Sequence, residues 1–401
     1  MQNRTRTNFD MLTPTTQSGI SLIELLITLA IGLVITAALG TLFLNIMRSN
    51  DELAKINTQI ENGRFAIQVL QDDVMHAGFW GEYIPQFDNF SSDAVPSDAP
   101  SSIPDICTAF DPAAWDDEFK NNLIGLPLQV YGGIAPTGSG CVADIDGSRQ
   151  PNTDVLVVRH ANTCVADNLG CDSYVAGELY FQPSLSFYAE NADENCPFGS
   201  TADTEPYLLD VADFDTLTQK DCSTPNTEKR KFISNIYYVR NYANQEDDGI
   251  PTLMRSSFGL SGAGLIHQDG IPLIEGIEAF RIELGVDSLS DSGAPINYAE
   301  AITWADEENL TSPTNRGDGA VDGAFVSCTT AIPCTVDQLT NVVAVKIHVL
   351  ARATRSTPGY IDDKSYTLGS QTIGPFNDEF KRHVFSTTVR LPNISGRRET
   401  P

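Results

Sequence analysis

Residues 19 to 47 read GISLIELLITLAIGLVITAALGTLFLNIM, and the 23 residues between Glu24 and Arg48 carry no charge. As a helix such a run spans roughly 35 Å, enough to cross the hydrocarbon core of a bilayer. A secretory signal peptide fits badly, because its apolar region would be about 7 to 15 residues and would end at a small-residue cleavage site. The flank before the run holds Arg4 and Arg6 with Asp10, a positive bias that keeps the N-terminus cytoplasmic and sends the rest outward. Beyond Arg48 the pattern does not stop. Leu53, Ile56, Ile60, Gly63, Ile67, Leu70 and Val74 recur at spacings of three and four, so one helix is predicted from about residue 21 to about residue 76. A helix of that length, roughly 80 Å, cannot be buried by a single small core, and other chains must cover its first half.

Outward in a bacterium means the periplasm, and the cysteines agree. All eight (Cys107, Cys141, Cys164, Cys171, Cys196, Cys222, Cys328 and Cys334) follow the helix, and none forms a CxxC pair. That spacing argues against zinc and for disulfides in an oxidising compartment. About 105 pairings are possible; proximity favours Cys164 with Cys171 and Cys328 with Cys334, and leaves the other four open. The formal net charge is −28, from 25 basic and 53 acidic residues. Such an excess opposes binding to nucleic acid.

From Gly78 the helical period disappears. Residues 85 to 104 are rich in Pro, Ser and Asp and read as a surface loop. Five runs then alternate or cluster β-branched and aromatic residues, at 154–159, 232–240, 277–286, 342–352 and 383–391. They predict a mainly antiparallel sheet with one face against the helix. The acidic stretches at about 160–230 and 287–335 read as insertions held by disulfides. The domain plan is therefore a polar flank at 1–19, a membrane helix at 20–48, its amphipathic continuation at 49–76, and an α+β head at 77–401.

The junction Gly19-Ile20-Ser21-Leu22-Ile23-Glu24 resembles the class III signal of type IV prepilins. That resemblance implies that residues 1–19 are a leader removed by a prepilin peptidase after Gly19, that the new amine on Ile20 is methylated, and that Glu24 is an assembly carboxylate. Ile replaces the commoner Phe at the first mature position. The stretches at 61–81, 154–161, 237–255, 272–287, 341–352 and 385–393 further resemble the PilW family of type IV pilus assembly proteins. The family implies a pilin-like α+β fold and a minor pilin at the bacterial inner membrane, later at the pilus tip on the cell surface. It would join other minor pilins, the major pilin and, in many systems, a large tip adhesin, in pili that serve twitching, DNA uptake or attachment. A type II secretion pseudopilin and a tip-located adhesive binding module are the alternatives.

Chemistry is harder to find. Hydrolase, zincin, Walker and dinucleotide signatures are missing from the sequence, and His76, His160, His267, His348 and His383 are scattered. No enzyme, cofactor or metal site is expected. Asp144 to Ser148 begins like a calcium loop but has Val155 where the twelfth-position Glu should stand, and Asp318 with Asp322 is similarly incomplete. Arg316-Gly317-Asp318 spells an adhesion tripeptide within a polar loop.

Overall fold

The computed structural model describes residues 19–91, 94–133, 142, 145, 147–187, 203, 205–212, 214, 217–220, 222, 227–262 and 264–399. Two compact units emerge, Met1–Ala54 and Lys55–Pro401. A single helix, α1 (Leu22–His76), runs from the first into the second. It starts at Ser21, whose hydroxyl accepts from the Ile23 N–H at 3.4 Å while Glu24 Oε2 accepts from the Ser21 N–H at 3.0 Å. That reciprocal pair satisfies two of the N–H groups a helix start leaves open. It ends at Gly78, whose φ of +74° suits a residue without Cβ. There Asn393 Nδ2 donates to the freed carbonyls of Met75 and Ala77.

In the first unit no residue from 19 to 50 is buried. In the second, α1 buries Lys55, Gln59, Gly63, Ala66, Leu70 and Val74. The period is the predicted one, but over the first turns the phase differs: Leu53 is 55% exposed and Ile56 and Ile60 are only half-buried. What faces the helix there is main chain. Lys55 Nζ donates to Ser356 O at 3.0 Å, Gln59 Nε2 to Ala351 O at 2.7 Å and to Lys381 O at 3.0 Å, and Asn62 Nδ2 to Glu275 O at 3.0 Å. Carbonyls at and beside the ends of strands face the helix here and accept from it, so amide and ammonium side chains take the inward positions. Gly63 is a close packing point, because an added Cβ would lie 2.8 Å from Phe385 Cζ.

In chain order the head contains β1 (Leu128–Tyr131), β2 (Val155–Ala161), β3 (Tyr180–Pro183), β4 (Tyr207–Asp210), β5 (Arg230–Arg240), β6 (Thr252–Ser261), β7 (Gly264–His267), β8 (Ile271–Glu275), β9 (Ile277–Val286), β10 (Trp304–Asp306), β11 (Thr311–Pro313), β12 (Val342–Arg352), β13 (Tyr366–Leu368), β14 (Gln371–Ile373) and β15 (Arg382–Arg390). Short helices are α2 (Asp117–Gly125), α3 (Val336–Thr340) and α4 (Pro392–Arg398). Among the described residues they form two principal sheets where the sequence suggested one. An eight-stranded sheet runs β1-β2-β5-β3-β4, with β6 on β5 and both β7 and β8 on β6; a three-stranded sheet runs β15-β12-β9. The hairpins β10–β11 and β13–β14 stand apart. The stretch read as the first insertion supplies β3 and β4, and β3 pairs with β5 at Arg230 and Lys231.

One core joins these layers. Leu70 and Val74 of α1 meet Leu156 and Val158 of β2 and Phe280, Ile282, Val345 and Ile347 of the smaller sheet. The alternate residues Val155 and Val157 of β2 pack on its other face with Ile106, Val142 and Ile145. A strand buried on both faces reads as a continuous apolar run, as DVLVV does. Polar bonds fix the helix to the larger sheet: Asp73 accepts from Asn235 Nδ2 at 3.1 Å and lies 3.0 Å from His160 Nε2. Burial pushes the Asp73 carboxyl up, but these partners hold it below the usual carboxylate range. At the C-terminus Arg398, 1% exposed, binds Asp88 at 2.9 Å, Asn341 Oδ1 at 2.9 Å and Thr340 O at 3.1 Å, tying α4 into the head.

Candidate functional site

The residues with a sequence-level chemical argument lie at the start of α1. Ile20 is 77% exposed, and Gly19 precedes it without regular structure. Glu24 sits in the first helical turn, where its charge is favoured by the partial positive charge of the helix start. It spends Oε2 on Ser21, while Oε1 accepts no bond among the described residues. Sequence reasoning singled out Glu24 and missed Ser21, although Ser-x-x-Glu before an apolar run is a recognisable capping signal. Behind the two lies a stripe of exposed Leu, Ile and Val through residue 46, with a mean hydropathy of 2.5 over its best window. A carboxylate at the edge of hydrocarbon costs on the order of 2 to 3 kcal/mol, and the capping bond offsets part of that.

The cysteines lie elsewhere. Cys164 is bonded to Cys171 and Cys328 to Cys334, with Cα separations of 5.5 and 5.1 Å. Cys107 and Cys222 are also disulfide-bonded, and Cys141 and Cys196 lie outside the described residues. The second bridge rests on β1: Gly132 comes so near the Cys328 carbonyl that an added Cβ would lie 2.9 Å from Thr329 N.

The histidines do not converge on one site. His348 binds Ser386 Oγ at 2.7 Å and approaches Glu283 at 3.4 Å on the smaller sheet. His383 lies against Phe385, and His76 Nδ1 sits 2.6 Å from its own helix carbonyl at Asp72. His267 is buried between Ser234 and Ser256. Among the described residues no cluster of three or more His, Cys, Asp or Glu is arranged to hold a metal. Asp144 and Asp146 fall outside the described residues. Asp318 closes its own turn on Ala320 N at 2.8 Å, and Asp322 accepts from Ser288 N and Leu289 N at 2.7 Å. In the tripeptide at 316–318, Arg316 is 2% exposed and donates to the carbonyls of Asn315 at 3.0 Å and Glu300 at 2.8 Å. Its guanidinium is spent inside the protein and cannot be offered to a receptor.

Known proteins point to the same end of the molecule and to the head behind it. Residues 14–40 match the model of the prokaryotic N-terminal methylation motif. Residues 236–393, from within β5 to the start of α4, match the family model of type IV pilus-assembly protein W. Among solved structures a type IV-like pilin from Thermus thermophilus aligns over 62% of this chain and 83% of its own, at 12% identity and a TM-score of 0.23. No curated protein matches.

Proposed function

We propose, from this chain's membership of the PilW family of type IV pilus assembly proteins, that it is a minor pilin acting in the initiation of pilus assembly and residing at or near the pilus tip. The observation that carries this reading is the contrast between its two units. The head closes its own core, with Leu70, Val74 and their partners buried, whereas the described residues of the apolar first half of α1 are exposed throughout. Exposed apolar surface on that scale requires a bilayer or other apolar helices.

In this reading the leader ending at Gly19 is removed by prepilin peptidase and the amine of Ile20 is methylated. Residues 20–48 hold the protein in the inner membrane with the head outside, and then enter the filament. Other minor pilins, the major pilin and a large tip adhesin are the partners. Glu24 serves both states: Oε2 completes the helix start, and Oε1 is open to a cationic amine of the neighbouring subunit. The role is structural, and the bulk of the head suits a subunit used a few times over one repeated along a shaft. Deleting the protein tests the assignment. Surface pili should be lost or sharply reduced while major pilin accumulates in the membrane. Normal piliation would remove the initiation role, and normal piliation with reduced attachment would replace it by adhesion alone.

A further inference from the structure

We propose that Asn309, at the tip of the β10–β11 hairpin, is the acceptor for an N-linked glycan delivered from a lipid pyrophosphate-linked oligosaccharide on the outer side of the inner membrane. The proposal rests on the reading above only in placing the head on that side. The acceptor pattern for such transfer is the side-chain amide of Asn-x-Ser or Asn-x-Thr, with x other than Pro. Four places in the chain fit it, at Asn3, Asn89, Asn309 and Asn393. Asn309 alone has a carboxylate two residues ahead, Glu307; the other three have Met1, Phe87 and Leu391 there. Bacterial transferases of this class read that carboxylate with a basic pocket, adding a charge-assisted contact to those made by the Asn and the Thr.

The folded head closes two of the alternatives. Asn393 spends Nδ2 on the carbonyls of Met75 and Ala77, and Ser395 is fully buried with its hydroxyl on Leu391 O at 2.9 Å. Asn89 is half-buried behind the buried Phe87 and Asp88, and its Oδ1 accepts from the Ser91 N–H at 3.1 Å and from Ser91 Oγ at 2.6 Å. Asn3 precedes the membrane run and never crosses with the head. At Asn309 the backbone is open. Glu307, Glu308, Asn309 and Leu310 make the whole loop between the paired residues Asp306 and Thr311, and all four are exposed. Leu310 turns the chain there in the left-handed region, with φ of +51°. Transfer to this loop needs no unfolding of the head.

The local bonds suit the chemistry. Asp306 Oδ1 accepts from the Asn309 N–H at 3.1 Å, and its Oδ2 accepts from Asn309 Nδ2 at 2.8 Å. The amide nitrogen carries two hydrogens and one is engaged there. In transfer the other leaves as a proton, the bond from sugar C1 to the pyrophosphate oxygen breaks, a C1–Nδ2 bond forms, and the lipid pyrophosphate departs with the proton. The N–H that remains keeps its bond to Asp306, so the product retains the turn. Among the described residues nothing occupies Thr311 Oγ1 or the Glu307 carboxylate, which leaves both handles available to an enzyme.

The test is a peptide mass spectrum of the full chain taken from its own cell envelope. The peptide holding Asn309 should carry one glycan, and those holding Asn89 and Asn393 none. Asn309→Gln should lose the glycan altogether. Glu307→Ala should lower its occupancy by roughly tenfold, the weight of one charge-assisted hydrogen bond, and Glu307→Asp should restore it. Unmodified Asn309 in chains whose Cys328 and Cys334 are oxidised overturns the site, as does full occupancy in Glu307→Ala or sugar found only on Ser and Thr. Reduced cysteines with no glycan would overturn the outward placement of the head, and the site with it.

Discussion

Gly63→Ala discriminates sharply between a helix that merely tolerates a glycine and one that needs it. On a solvent-facing helix the change should stabilise by about 1 kcal/mol, because Ala is the better helix former by that amount. Here the added methyl would enter the ring of Phe385, 2.8 Å from Cζ and nearer still to Cε2 and Cδ2. Phe385 is half-buried on β15 and held edge-on to His383 with ring centroids 4.8 Å apart, so it can yield only by repacking. Overpacking of this kind costs about 1 to 3 kcal/mol. Set against the propensity gain, the expected net loss is about 1 kcal/mol. Denaturant unfolding of the full chain in detergent, followed by tryptophan fluorescence, reads it, since Trp80 is fully buried against Phe232. Phe385→Leu should relieve the clash, so the double variant should be more stable than the two single effects summed, by at least about 1 kcal/mol of coupling. A stabilised Gly63→Ala, or a cycle without coupling, would refute the packing of α1 on β15.

Other outcomes follow from the same contacts. Burial, with the Asp88 charge adding and the Gln86 and Phe87 N–H groups opposing, raises Asp98 to about 6. Between about pH 4 and 6 the folded chain then keeps a proton that the unfolded chain has released, so stability falls as pH rises through that window and levels off above it. Asp98→Asn should remove this contribution; parallel denaturation midpoints for variant and wild type from pH 4 to 7 would show it is not there. Replacing Cys328 and Cys334 together by Ser should cost about 2 kcal/mol, the loop-closure figure for so short a ring, measurable as a lower denaturation midpoint; an unchanged midpoint would mean that the loop is held by its contacts with β1 instead. Glu24→Ala should be processed normally and yet be missing from sheared pili on immunoblot, and equal incorporation would end the assembly role given to that carboxylate.

Much of this architecture is legible from local pattern. The uncharged run, the period of α1 and the five strands β2, β5, β9, β12 and β15 are written in side chains whose burial depends on their own element, whereas β6, ten residues long, is not among the runs that the pattern singles out. Lys55 and Gln59 are not legible in that way: their inward position is set by carbonyls of Ser356, Ala351 and Lys381 some three hundred residues away. The strands β3 and β4, four residues each, lie within an acidic, Cys-bearing stretch whose composition resembles loop. Arg398 looks like a solvated terminal charge until Asp88, Thr340 and Asn341 surround it. At the stem Glu24 stands out as the one charge at the start of the apolar run, whereas its bond to Ser21 depends on where the helix starts.

The most direct measurement is the intact mass and N-terminal fragment spectrum of protein taken from the cell envelope. A first residue of methylated Ile20, followed without a break by residues 21–48, is the predicted result. A chain starting beyond residue 48, or one still carrying residues 1–19 in assembled pili, would contradict it.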